Sequence, residues 1–170
     1  MPVDHRPAAH TGVSPAGVGD LLLPAAVFVR SRWQGRRHVL QELSEALARA
    51  LGLDPRLVLE GVLERERLGS TGVGEGVAIP HARIAGLDRV AGGLVCLAEG
   101  IDFESIDGRP VDLIFMLLAP EDAGSEHLRA LARVSRLFRQ EAIRNRLRGA
   151  PTREAALQAL SPEADGVAAA

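Results

Sequence analysis

VDLIFMLL, residues 111–118, decides the fold: only Asp112 interrupts an otherwise apolar run. Such a run fits a central strand covered on both faces, since a strand with one wet face would alternate. A second run of the same kind, GLVCLA (Gly93–Ala98), precedes it, and DGRP (Asp107–Pro110) supplies turn chemistry between the two. Strands buried on both faces need helices on both faces. His38 to Leu51 carries Leu40, Leu43, Leu47, Ala50 and Leu51 at helical spacing, and Gly52 stops it. Asp54 caps a second helix with Pro55 at its first position, and Leu59, Val62 and Leu63 form its inward stripe. A third helix is expected from about Ala123 to Phe138, with Leu128, Leu131, Ala132 and Ser135 turned inward. Two shorter helices follow, one around Ile143–Leu147 and one capped by Thr152 and running to Leu160. Ala26–Arg30 is expected as a short strand. Val77–Pro80 (VAIP) is another, because a residue before proline is pushed extended. The expectation is an α/β fold, a mixed β-sheet flanked by helices on both faces in a single domain.

Residues 20–160 form that domain. Met1–Gly19, rich in Pro, Gly, Ala and Thr without periodicity, is expected as a flexible tail that includes His5 and His10. Residues 161–170 are expected as a second tail. The 170 residues carry a net charge of −2, which gives no bulk attraction for nucleic acid or anionic lipid. The basic stretch RSRWQGRR (Arg30–Arg37) reads as a solvated loop and helix start. Leu21–Val29 is interrupted by Pro24 and too short to span a bilayer, so no membrane insertion is expected. The single cysteine, Cys96, excludes an intramolecular disulfide and lies in an apolar run, where a buried inert thiol is expected. Together these suggest a cytoplasmic protein.

The stretch GVGEGVAIPHAR (residues 72–83) holds the chemistry. Its glycines do not make a P-loop, which needs a lysine absent here. Nor do they make a dinucleotide fingerprint, since the spacing is G-x-G-x-G and precedes a strand. They read either as a flexible turn or as room for another molecule's close approach. No cofactor is expected. There is no H-E-x-x-H and no cysteine pair, and His81 and His127 alone do not close a metal site. No G-x-S-x-G elbow supports a hydrolytic triad. His81 follows Pro80 at a strand end, where sites in α/β domains gather. An imidazole there is a nucleophile near neutral pH, or else a structural histidine. His127, in EDAGSEHLRAL, falls in the first turns of a helix, which suits an anion and disfavours a protonated ring, though without context it reads first as a surface residue at a helix start. Arg65, on the last turn of the second helix, has a fork that matches phosphoryl oxygens, but taken alone it reads first as a solvated helix charge.

LERERLGSTGVGEGVAIPHAR, with SEHL placing His127 46 residues after His81, resembles the type-2 IIA domains of the bacterial phosphoenolpyruvate-dependent phosphotransferase system. These are the fructose/mannitol-type IIA proteins and their nitrogen-regulatory relatives, and the form here looks most like the nitrogen-regulatory branch. The resemblance covers roughly residues 19–160. It implies a phosphocarrier, a phosphotransferase component with a phosphohistidine intermediate. His81 would accept the phosphoryl group from an HPr-like phosphocarrier protein. His127 would donate a hydrogen bond to the phosphoryl group and Arg65 would clamp its charge. PHAR stands where relatives often have PHG, which puts the loop beside the site in question. With no permease or IIB segment in the 170 residues, regulation of target proteins is expected over relay to a IIB subunit for sugar uptake.

Overall fold

A computed structural model describes residues 17–161. Most of both expected tails lies outside the described residues. Val18, however, is fully buried and donates from its N–H to Leu160 O (3.1 Å), so packing begins before the expected boundary at Asp20.

The described chain runs β1 (Leu22–Ser31), α1 (Arg36–Leu51), α2 (Pro55–Arg67), β2 (Gly72–Gly74), β3 (Val77–Ala78), β4 (His81–Ile84), β5 (Ala91–Ile101), β6 (Val111–Pro120), α3 (Ser125–Phe138), α4 (Glu141–Gly149) and α5 (Arg153–Ala159). The strands form one sheet in the order β1-β5-β6-β3-β2, with β4 also paired to β6. It is mixed: β1 lies parallel to β5, β5 antiparallel to β6, and β3 and β4 parallel to β6.

Strand β6 is central, as its composition requires. Leu113, Phe115 and Leu117 pack into one core with Val134, Leu137 and Phe138 of α3 and Ile143 and Leu147 of α4. Ile114, Met116 and Leu118 pack into another with Val39, Leu40, Leu43 and Leu47 of α1 and Val58 and Val62 of α2. Side chains alternate across a strand, so an unbroken apolar run feeds two cores at once.

The helix signals act as expected. Asp54 accepts from Arg56 N (2.9 Å), Thr152 accepts from Ala155 N (3.2 Å), and Gly52 ends α1 in the left-handed region (φ 69°). Four expectations change. The buried apolar face of α1 is Val39, Leu40, Leu43, Leu47 and Ala48, while Ala50 is exposed and Leu51 only partly buried. Strand β1 is longer than Ala26–Arg30 and runs through Pro24; it is an edge strand whose register with β5 shifts between Leu22 and Val27, where a missing N–H is tolerated. The inward stripe of α2 is Val58, Val62 and Glu66, with Leu59 and Leu63 only partly buried. The inward face of α3 is His127, Ala130, Val134, Leu137 and Phe138, while Leu128 is 63% exposed. The i, i+3, i+7 spacing from position 127 is the stronger stripe, and it shows only when a histidine is counted as an inward residue.

Candidate functional site

The glycine-rich stretch folds into a hairpin. Strands β2 and β3 pair antiparallel across Glu75 and Gly76, with φ of 95°, 58° and 77° at Gly74, Glu75 and Gly76. The close approach that these glycines permit is made by this chain itself. A Cβ at Gly72 would lie 3.0 Å from Ser105 Cα, and Arg148 reaches past Gly76 to Glu75 O (2.8 Å) and Asp112. On the side where a Cβ would stand, Gly72 and Gly76 are thus covered by this chain's own residues.

After the hairpin, Val77 and Ala78 pair with Leu113 and Ile114, and His81 resumes with Leu117 in the same register. Strands β3 and β4 are one line along β6, interrupted at Ile79–Pro80. Pro80 has no N–H to give, but its carbonyl accepts from Leu117 N (2.9 Å). His81 thus opens a strand instead of following one. Among the described residues β4 pairs only with β6, so its other edge is free. Ala82 and Ile84 pack into the core under α1 and α2. Alternation turns His81 and Arg83 to the opposite face, that of α3.

His127 meets His81 on that face. The ring centroids are 5.6 Å apart, edge to face at 67°. His127 is the third residue of α3 and only 6% exposed, so its ring is held by the helix packing instead of hanging in solvent. Its Nδ1 faces Arg83 Nε at 3.4 Å, and its buried Nε2 has no hydrogen-bond partner among the described residues. His81 Nδ1 lies 2.8 Å from Ile79 O. A carbonyl oxygen can only accept, so Nδ1 carries the proton and Nε2 keeps the lone pair.

Both rings are held neutral. Burial lowers the His81 pKa below the usual 6.5, and the Arg65 charge adds to this against opposition from the Ile79 carbonyl and Glu66. Burial likewise lowers that of His127, followed by the charges of His81 and Arg83.

Arg65 arrives from the other helix layer. Gly61 lets α2 sit against β4, since a Cβ there would come within 3.1 Å of Ile84 Cδ1 and 3.5 Å of Ala82 Cβ. One turn later Arg65 is near enough for its charge to be felt at His81. Its Nη1 donates to Gly69 O (2.9 Å). The next residue, Glu66, is buried and accepts from Thr71 Oγ1 and, at 3.4 Å, from Thr71 N. Thr71 O accepts from Ile79 N (3.0 Å), which ties the end of α2 to the carbonyl that orients His81.

The three residues singled out from sequence therefore gather at one end of β4, and two that were not, Arg83 and Glu66, stand beside them. Arg83 had no legible signal, because the sequence ends the strand at Pro80 and positions 81 and 83 share a face only once β4 is in place. Glu66 had none, because a buried carboxylate reads as a solvated helix charge until its partner at Thr71 is known. Elsewhere, His38 is exposed and lies 3.6 Å from Glu42. Cys96 is buried, its thiol pushed up to about 12 chiefly by burial, which leaves it inert. Within the basic stretch, Arg36 stacks over Phe103 at 5.4 Å and faces Glu104 and Glu66. No helix among the described residues is long and apolar enough to cross a membrane.

Residues 20–162 match the family model described as "Phosphoenolpyruvate-dependent sugar phosphotransferase system, EIIA 2". A nitrogen regulatory protein of Bradyrhizobium diazoefficiens is 44% identical over 144 residues, covering 85% of this chain and 94% of the relative. One of Pseudomonas aeruginosa is 39% identical over 140 residues, covering 82% and 91%. The crystal structure of nitrogen regulatory protein IIA-Ntr from Neisseria meningitidis superposes with a TM-score of 0.79 at 36% identity, over 84% of this chain and 98% of that one. The chain belongs to the EIIA type-2 family of the phosphoenolpyruvate-dependent sugar phosphotransferase system.

Proposed function

We propose that this protein is a phosphocarrier of the nitrogen-regulatory kind, taking a phosphoryl group on His81 Nε2 from a small HPr-like phosphocarrier and controlling target proteins by its phosphorylation state. The observation that carries the reading is the pair of imidazoles 5.6 Å apart, one with a free lone pair and the other with a buried, unpartnered nitrogen.

The chemistry follows from the geometry. The Nε2 lone pair attacks phosphorus in line, an Nε2–P bond forms, the donor's N–P bond breaks, and its electron pair stays on the donor nitrogen. The proton on His81 Nδ1 remains there, held by Ile79 O, so the phosphorylated ring carries positive charge and the N–P bond stays labile. That suits a carrier, which must release what it accepts. The depressed pKa of His81 keeps its lone pair available at neutral pH. Arg65 offers charge to the equatorial oxygens from one side, and His127 offers a donor from the other.

The regulatory reading is supported by similarity to nitrogen regulatory proteins at 39–44% identity, over 82–85% of this chain and 91–94% of those relatives. The protein would act in the cytosol, where its upstream carriers are found.

Labelling tests the proposal. With radiolabelled phosphoenolpyruvate and the two upstream carriers, the chain should take up one acid-labile, base-stable phosphoryl group, and His81→Ala should take up none. Full labelling of the alanine variant would refute it. Onward transfer to an added IIB protein would move the assignment from regulation to sugar uptake.

A further inference from the structure

We infer that Arg83 is a positioning residue that sets the tautomer of His127, so that the buried Nε2 carries the hydrogen that meets the phosphoryl group. The inference rests on the phosphocarrier reading for its purpose, but its physical content stands on the unphosphorylated protein.

A guanidinium has donors and no acceptor. A contact of Arg83 Nε to His127 Nδ1 at 3.4 Å is attractive only when Nδ1 holds a lone pair. In a neutral imidazole the hydrogen then sits on Nε2. That nitrogen is buried and unpartnered among the described residues, an arrangement that costs free energy unless it is used. The opposite tautomer would set two N–H groups against each other at Arg83 and leave Nε2 with a lone pair, which repels a phosphoryl oxygen. A doubly protonated ring is opposed by the same guanidinium and by the start of α3, whose end carries positive partial charge.

The fold makes the contact by simple register. Arg83 pairs with Ala119 and His81 with Leu117 on β6, so the two side chains stand on one face, two residues apart, under the third residue of α3. The acceptor imidazole and the residue that orients its neighbour are thereby carried by the same four-residue strand. Both rings are then set by one partner each at Nδ1, a carbonyl at His81 and a guanidinium at His127. The two partners impose opposite tautomers: a lone pair at Nε2 of the nucleophile and a hydrogen at Nε2 of the donor.

The test reads the tautomer and the transfer rate in the same variants. In 15N-labelled full-length protein without any phosphoryl donor, imidazole nitrogen spectra should show His127 as the Nε2–H tautomer. Arg83→Met, which keeps the length of the side chain and removes its donors, should give a mixture of tautomers and slow labelling of His81 about tenfold, the worth of one hydrogen bond. Arg83→Lys, which keeps a cationic donor, should restore most of both. An Nδ1–H tautomer in the parent protein, an unchanged tautomer in Arg83→Met, or a changed tautomer with an unchanged rate would each overturn the inference. If the parent chain takes no label at all, the phosphocarrier reading fails instead, and the nitrogen spectra still decide whether Arg83 sets the ring.

Discussion

His81 and His127 are the same residue type with different partners at Nδ1. A carbonyl oxygen accepts at one ring and a guanidinium approaches the other, which in the proposed mechanism makes the first a nucleophile at Nε2 and the second a donor there. Arg65 adds charge without touching either ring's Nδ1, and part of its donor capacity is spent on Gly69 O. Replacing it with alanine should therefore slow phosphoryl transfer about 100-fold, the usual loss for one group that meets charge in the transition state. Thermal unfolding should shift little, because Arg65 is only half-buried. Arg65→Lys should recover part of the rate, since a point charge replaces a fork. Equal rates in Arg65→Ala and the parent chain would remove the clamp from the mechanism. At this scale the sequence was informative about the three polar candidates. The motif around each was local. Glu66 and the tautomer of His127 were not legible, because each depends on a partner that is distant in the chain or lies on another element.

The elements place these residues by packing. Helix α2 reaches β4 only because position 61 has no side chain. Gly61→Ala should be close to neutral: the gain of about 1 kcal/mol in helix propensity is offset by a contact 3.1 Å from the movable end of Ile84. Gly61→Leu has no room and should cost about 1–3 kcal/mol in urea denaturation. It should also slow transfer, because it lifts Arg65 away from β4. A leucine variant as stable and as active as the parent would show that α2 does not need this close seat. Helix α3 carries the clearest lesson in reading elements. Its expected inward face was built from Leu128 and Leu131, yet the inward stripe begins at His127. A histidine scored as polar was left off the stripe, and the face rotated by one position. Helix existence and approximate ends survived that error because apolar periodicity and the Thr152 cap of α5 are local signals. The face did not, because it is fixed by what lies beneath.

Across the whole molecule the neutral histidines tie stability to pH. Both have folded pKa values below the usual 6.5, so the unfolded chain binds protons more readily than the folded one. Their contribution is complete above that value and is lost as pH falls through the lower folded values. Asp20, lowered below 3.8 chiefly by its hydrogen bond with Arg133 at 2.6 Å, adds stability that goes at more acid pH. Denaturant midpoints should be level above pH 7 and decline below pH 6.5, and His81→Gln with His127→Gln should flatten the upper part of that decline. An undiminished decline in the double variant would assign it to other groups. The sequence by itself determined the double-faced central strand, the helices on either side and the histidine framed by Pro80, because apolar runs, caps and proline act over a few residues. Only the tertiary structure decided that the glycine hairpin is packed by Ser105 and Arg148, that β3 and β4 are one line broken at Pro80, and that His127 turns inward to meet His81. Each of those depends on residues distant in the chain arriving at one place, and burial and the pairing of polar groups choose among faces that local spacing leaves equal.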